Sequence, residues 1–168
     1  GDYGDPCTAK DIIPILEYIH DINPDCMWQI NTNGGMKNVQ FWKELGELFA
    51  KNKKRYVIFS VDGLEDTNHI YRKNVKWKKL YENYSTYIKY GGIAAWQFIV
   101  FKHNEHQIET AKKKSVEEGF VSFNTVYSSR ENYEVQEIRK EKEKKSCVKC
   151  KATYFNRELE ESFFIDVR

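Results

Sequence analysis

Tyr56-Val57-Ile58-Phe59-Ser60-Val61-Asp62-Gly63 is the stretch on which the fold turns. Tyr56 to Val61 is a buried-strand run, rich in β-branched and aromatic side chains. It closes on a polar, glycine-bearing cluster of Ser60, Asp62 and Gly63. The same construction recurs along the chain. Met27 to Ile30 leads into Asn31-Thr32-Asn33-Gly34-Gly35, Ala94 to Phe101 into His103 and Asn104, and Val121 to Val126 into Ser128, Ser129 and Arg130. The chain also opens on such a cluster, Gly1-Asp2-Tyr3-Gly4-Asp5-Pro6.

Between these runs the apolar spacing turns helical. Thr8-Ala9-Lys10-Asp11 reads as a capping box, followed by a stripe of Ile12, Ile13, Leu16 and Ile19. Pro14 would clash in a helix begun at Thr8 but fits the first turn of one begun at Asp11. Asn23-Pro24 stops this helix. Further helices are expected over about Gln40 to Lys51, Val75 to Tyr90 and Gln107 to Glu118. Gly91-Gly92 and Gly119 end the last two. Strand, helix-length spacer, strand is the signature of crossover connections, and therefore of parallel strands. An open doubly wound sheet and a partial barrel both satisfy it. In either, the polar clusters share the rim where such folds bind ligands.

Composition sets outer bounds. At 168 residues, with 40% apolar and 31% charged side chains, the chain can build one real core and is not a disordered segment. The aromatic share of 15% points to a well-filled core or an aromatic-lined pocket. A net charge of only +2 argues against a dedicated nucleic-acid or anionic-membrane surface. No apolar run approaches the roughly 20 residues needed to span a bilayer, and no secretory leader is visible. Cys7, Cys26, Cys147 and Cys150 are too irregularly spaced for a secreted disulfide framework, so a reducing, cytoplasmic setting is expected.

The alternation stops after Arg130. Glu131 to Lys145 is charged and almost without large apolar residues, as in a solvated helix or linker. A boundary is placed there, giving units 1–130 and 131–168. The second begins with Cys147-Val148-Lys149-Cys150 and ends on the strand-like Ser162 to Val167.

Several clusters could carry chemistry. Gly4-Asp5-Pro6 is a tight turn whose backbone groups a ligand could approach, though such turns are common. Asn33-Gly34 is a hairpin signal, but a helix follows it, which favours a strand-to-helix ligand loop. Ser60 and Asp62, two apart on a strand, should face the same side; a satisfied structural serine with a capping aspartate is the rival reading. His103 and His106 lack metal-ligand spacing and read as surface or capping residues. Cys147-x-x-Cys150 has the spacing of half a zinc or iron–sulfur site. Phosphate-loop, dinucleotide and serine-hydrolase motifs are absent.

Taken in order, these clusters resemble the core domain of the radical S-adenosylmethionine superfamily, most closely the branch with a C-terminal SPASM-type cluster domain. Gly1 to Pro6 is similar to its glycine-rich motif, Thr32-Asn33-Gly34 to its third-strand motif, and Phe59 to Gly63 to its fourth-strand S-x-D-G. Val100 to Asn104 and Ser129-Arg130 fall where the fifth and sixth strands end. Cys147 to Cys150 resembles the start of the auxiliary-cluster region. The defining C-x-x-x-C-x-x-C is missing, and both ends look cut.

The resemblance implies an α/β fold: a partial TIM-type (β/α) barrel of parallel strands, truncated at the N-terminus and followed by the start of a small cluster-binding extension. It implies S-adenosylmethionine and a [4Fe–4S] cluster as cofactors, the cluster's ligands lying outside this sequence, with an auxiliary iron–sulfur cluster on Cys147 and Cys150. Gly4, Asp5 and Pro6 would offer groups to the methionine ammonium, Ser60 and Asp62 would face the ribose, and Arg130 would pair the carboxylate. Thr32, Asn33 and Asn104 would line the same rim. Reductive cleavage to a 5′-deoxyadenosyl radical would abstract hydrogen from an unidentified substrate, by analogy a peptide, with a reductase as electron donor. A noncatalytic α/β binding domain and a zinc-stapled adaptor using Cys147 and Cys150 are the competing readings.

Overall fold

Four strands, β1 (Trp28–Thr32), β2 (Arg55–Ser60), β3 (Ile93–Val100) and β4 (Ser122–Tyr127), lie side by side in chain order, each pair parallel. They come from a computed structural model that describes residues 4–127. Arg130, Cys147, Cys150, the charged run and the strand-like 162–167 lie outside the described residues. The helices are α1 (Ile12–Ile22), α2 (Val39–Ala50), α3 (Asn68–Tyr71), α4 (Trp77–Lys89) and α5 (Ile108–Glu117). None of these is long and apolar enough to cross a membrane.

Strand order resolves the choice left open by periodicity. A doubly wound sheet reverses direction at a switch point. Here the order never reverses, and α2 packs on both α1 and α4 along one side of the sheet. This is the winding of a (β/α) barrel, not closed by the four described strands. The partial TIM-type barrel implied by the resemblance is the observed fold.

Register and alternation give the sheet two unlike faces. Trp28, Ile30, Val57, Phe59, Trp96 and Phe98 are buried and face the helices. Phe59 lies 5.3 Å from the Trp42 ring of α2 and 5.9 Å from the Tyr87 ring of α4. Trp96 packs on Tyr84 and Phe120. The aromatic richness of the chain is spent on this layer, where such pairs add about 0.5–1.5 kcal/mol each beyond burial. The opposite, inner face carries Asn31, Ser60, Gln97, Ser122 and Asn124 interleaved with Ile58, Ala95, Ile99 and Val126.

Buried Arg55 fastens the base of the sheet. Its guanidinium lies 3.7 Å from the Trp28 ring centroid. It donates to the carbonyls of Pro24 (2.6 Å), Cys26 (3.3 Å) and Leu48 (3.3 Å). A fourth contact, 3.0 Å to His20 Nδ1, makes that nitrogen an acceptor, because arginine only donates. One side chain thus ties together α1, the loop before β1 and the end of α2.

Local corrections have local causes. The capping box at Thr8 does not form: Thr8 belongs to a 3-10 turn, Pro6–Thr8, capped by Asp5. The helix starts instead at Ile12, with Asp11 at its N-cap, so Pro14 falls in the first turn. α2 begins one residue early because Asn38 Oδ1 caps the Phe41 N–H at 2.9 Å. β1 continues through Thr32, which is therefore a strand residue and not part of the loop.

α2 and α4 approach closely at Gly46, where an added Cβ would come within 2.7 Å of the Tyr87 carbonyl oxygen. Gly46→Ala gains helix propensity but forces the helices apart, and overpacking costs about 1–3 kcal/mol. A lowered urea midpoint is the expected result; an unchanged or raised midpoint would mean that the approach is not tight.

Candidate functional site

At the C-terminal ends of β1 and β2, a cavity of about 240 Å³ is lined by Gly4, Asp5, Asn31, Thr32, Asn33, Ser60 and Arg72. Asp5 builds one wall. Its Oδ1 accepts the Cys7 N–H at 3.0 Å; its Oδ2 accepts the Thr32 hydroxyl at 2.9 Å and the Asn33 N–H at 3.0 Å. The N-terminal loop is thereby fastened to the end of β1. A carboxylate has about four acceptor positions, so one remains for a ligand.

Thr32 and Asn33 shape the turn that follows. Thr32 Oγ1 accepts the Gly34 N–H at 3.0 Å, and Asn33 Oδ1 accepts the Gly35 N–H at 2.9 Å. Gly34 has φ 68°, a conformation in which a side chain would also strike Phe59 and Leu80. The Asn-Gly pair therefore bends the chain toward α2 and makes no hairpin.

Arg72 forms the opposing wall. Its Nε lies 2.5 Å from Asp62 Oδ2, with the arginine side chain 21% exposed and the aspartate fully buried. Asp62 Oδ1 also accepts the Ile99 N–H at 2.6 Å. The expectation that Ser60 and Asp62 share one side of a strand is corrected here. β2 ends at Ser60, the chain turns off the sheet, and Asp62 folds beneath Arg72. Ser60 meets the cavity directly; Asp62 reaches it only through the guanidinium.

Asn104 is likewise displaced from the expected rim. It is fully buried, donating to the carbonyls of Asp62 and Ile99, each at 2.9 Å, and accepting the Phe101 N–H at 2.7 Å. It staples the ends of β2 and β3 and does not line the cavity. Pro6 opens the 3-10 turn next to the lining residues, and His103 stacks on Phe101. Arg130, Cys147 and Cys150 lie outside the described residues.

Arg72 is the site residue that sequence reasoning missed. The available signal was an arginine ten residues after an aspartate within one strand-to-helix connection. Nothing in the spacing shows that four-residue α3, immediately before Arg72, folds this connection back on itself.

Burial pushes the Asp62 carboxyl above the ordinary carboxylate range, while Arg72 and the Ile99 N–H pull it down. The folded chain then holds this proton more tightly than the unfolded chain. Asp62's contribution to stability is greatest below the ordinary carboxylate value and falls as pH rises toward the raised one. Arg72→Gln removes the opposing charge and should steepen that fall. Urea midpoints measured from pH 4 to 8 test this; parallel profiles for the two proteins would contradict it.

Among the described residues, no cluster of three or more His, Cys, Asp or Glu could hold a metal ion. Cys7 lies beside the cavity wall, but burial, with the nearby Asp5 charge adding to it, pushes its thiol up to about 12. A thiol held protonated is a poor cluster ligand. The described residues therefore do not fit a [4Fe–4S] cluster. They do fit a small zwitterion, with an acid on one wall and an arginine on the other.

No family model matches the chain, and no curated protein matches it. Solved structures do. Streptococcus suis SuiB bound to S-adenosylmethionine superposes with a TM-score of 0.61 at 16% identity, over 84% of this chain and 34% of that one. SuiB bound to precursor peptide SuiA gives 0.62 at 18% identity, over 84% and 33%. The chain thus spans about a third of the length of the SuiB chains it matches. At this identity the likeness establishes the fold alone: a parallel βα partial barrel of the kind found in SuiB.

Proposed function

We propose that this chain is part of a radical S-adenosylmethionine enzyme of the SPASM branch, and that the rim cavity holds the methionine end of S-adenosylmethionine. The observation carrying this reading is the pair of opposed charges, Asp5 and Arg72, across one cavity in a SuiB-like partial barrel. Asp5, with the backbone at Gly4, takes the ammonium. Arg72, aimed by Asp62, takes the carboxylate through the nitrogens its Nε contact leaves over. Thr32 and Asn33 hold the wall that carries Asp5, and Ser60 borders the ligand where it leaves the rim. Arg130 is a second candidate for the carboxylate.

In this reading the reaction class is reductive cleavage of S-adenosylmethionine and hydrogen abstraction from a substrate. A peptide is the preferred substrate, in keeping with SuiB bound to precursor peptide SuiA. The described residues contribute binding and orientation to it. Residues 131–168 are assigned to the start of an extension in which Cys147 and Cys150 supply thiolates to an auxiliary iron–sulfur cluster. An external reductase and a reducing, cytoplasmic setting complete the proposal.

Saturation-transfer NMR on the full chain tests the binding step. S-Adenosylmethionine should show transfer at its methionine protons, and Asp5→Asn should weaken binding roughly tenfold or more, as for a lost charged hydrogen bond. Absence of binding to the wild type, or equal affinity in Asp5→Asn, would overturn the reading.

A further inference from the structure

Below the rim, the inner face of the sheet mixes apolar and polar side chains and carries no charge. Alternation places Gln29 and Asn31 of β1, Tyr56, Ile58 and Ser60 of β2, Ile93, Ala95, Gln97 and Ile99 of β3, and Ser122, Asn124 and Val126 of β4 on this side. Among the described residues, no Asp, Glu, Lys, Arg or His stands on it. Barrel interiors are ordinarily packed with branched apolar side chains; Ile58, Ile93, Ile99 and Val126 fit that rule here, while the row Ser60, Gln97 and Asn124 departs from it.

Its polar layer is one register row, with Ile99 and Val126 one layer above it on β3 and β4. Ser60 pairs with Gln97, and Gln97 pairs with Asn124. Ser60 also lines the rim cavity, making the row continuous with it. One layer lower, Ser122 pairs with Ala95. Asn124 Nδ2 and Ser122 Oγ are shielded from solvent, yet neither has a hydrogen-bond partner among the described residues. Buried polar atoms require partners, so these two are short of one each. At the base, Tyr56 donates to Gln29 (2.6 Å), and Gln29 donates to Asn31 (2.9 Å) at the β1 end of the Ser122 row, so these three are already engaged. Among the described residues, the unmet capacity on this face lies on β4, in the Ser60 row and the row below it.

We infer that the Ser60–Gln97–Asn124 row binds an uncharged amide of the substrate, such as a peptide group or a carboxamide side chain, and that it selects against charged segments. Carboxamides both donate and accept, which matches an amide ligand at both of its polar atoms. A charge seated among Ser60, Gln97 and Asn124 would meet no counter-charge within the row, and burying an unpaired charge is expensive. The inference deepens the proposed function by naming what lies next to the cofactor, and it rests on that reading for the word substrate.

The test is a 15N-edited NMR titration of the full chain with three capped tripeptides, having asparagine, aspartate or lysine between two glycines. The asparagine peptide should shift the side-chain NH2 signals of Gln97 and Asn124, with the charged peptides roughly tenfold or more weaker. Gln97→Leu should abolish the preference. Gln97→Glu should instead favour the lysine peptide, a gain that misfolding cannot produce. No shift at Gln97 and Asn124 with any peptide, or equal affinity for all three, would overturn the inference. S-Adenosylmethionine titrated separately reports at Gly4 and Asn33. Its failure there, alongside amide-selective binding at Gln97, would sink the cofactor reading and leave this one standing.

Discussion

Asp62→Ala is expected to be less stable by about 3 kcal/mol and to lose S-adenosylmethionine binding by roughly tenfold or more. Two separate losses contribute. The Ile99 N–H, which donates to Asp62 at 2.6 Å, is left unpaired in the interior. The Arg72 guanidinium loses the 2.5 Å contact that fixes its Nε and is free to leave the cavity wall. Asp62→Asn separates the two effects: its amide oxygen can still accept the Ile99 N–H, while the charge that holds Arg72 is gone. That variant should recover much of the stability and little of the affinity. Chemical denaturation and ligand titration on the same samples check both quantities. Recovery of both together would mean that Asp62 acts only as scaffold.

Arg55→Ala carries the other large expected effect. It strips the carbonyls of Cys26 and Leu48 of their side-chain donor, leaves the Pro24 carbonyl only its bond from Asn52 Nδ2 (2.9 Å), and opens a void beside Trp28. Unpaired buried groups cost about 1–3 kcal/mol each, some of it recovered if water enters, so a loss of about 3–5 kcal/mol is expected. For a domain of this size that lowers the melting temperature by roughly 10 °C or more. Arg55→Lys restores the charge but cannot reach three carbonyls with a fork, and should recover less than half of the loss. Thermal melts followed at 222 nm by circular dichroism measure it; a drop of only a few degrees for the alanine variant would show the carbonyls to be solvated.

What the sequence made legible follows from what leaves a local trace. The strand runs are dense in β-branched and aromatic residues and sit between glycine-bearing turns, so each was placed to within two residues. The order of the strands leaves no local trace, so periodicity alone does not separate an open sheet from a partial barrel, and only the order of the polar clusters points to the barrel. α3 is one turn long and too short for a helical period, so the loop that brings Arg72 to Asp62 could not be read. Ser60 and Asp62 obey strict alternation only while the strand lasts, and β2 stops between them. Asn104 shows a related ambiguity. A polar residue just past a strand looks the same in sequence whether it reaches a ligand or, as here, bonds three backbone groups. Gly4, Asp5, Thr32, Asn33 and Ser60 are legible because the C-terminal ends of parallel strands and the loops beside them share one rim.

The central claim is that Arg72 meets the carboxylate of an S-adenosylmethionine methionyl group across the cavity from Asp5. Its most direct test is a four-way titration: wild type and Arg72→Gln, each with S-adenosylmethionine and with its decarboxylated analogue. If the two groups touch, removing either one weakens binding roughly tenfold or more, and removing both weakens it no further than removing one. If wild-type protein binds the decarboxylated analogue as well as S-adenosylmethionine, or if the two losses simply add, Arg72 does not hold the carboxylate and the account of this site is wrong.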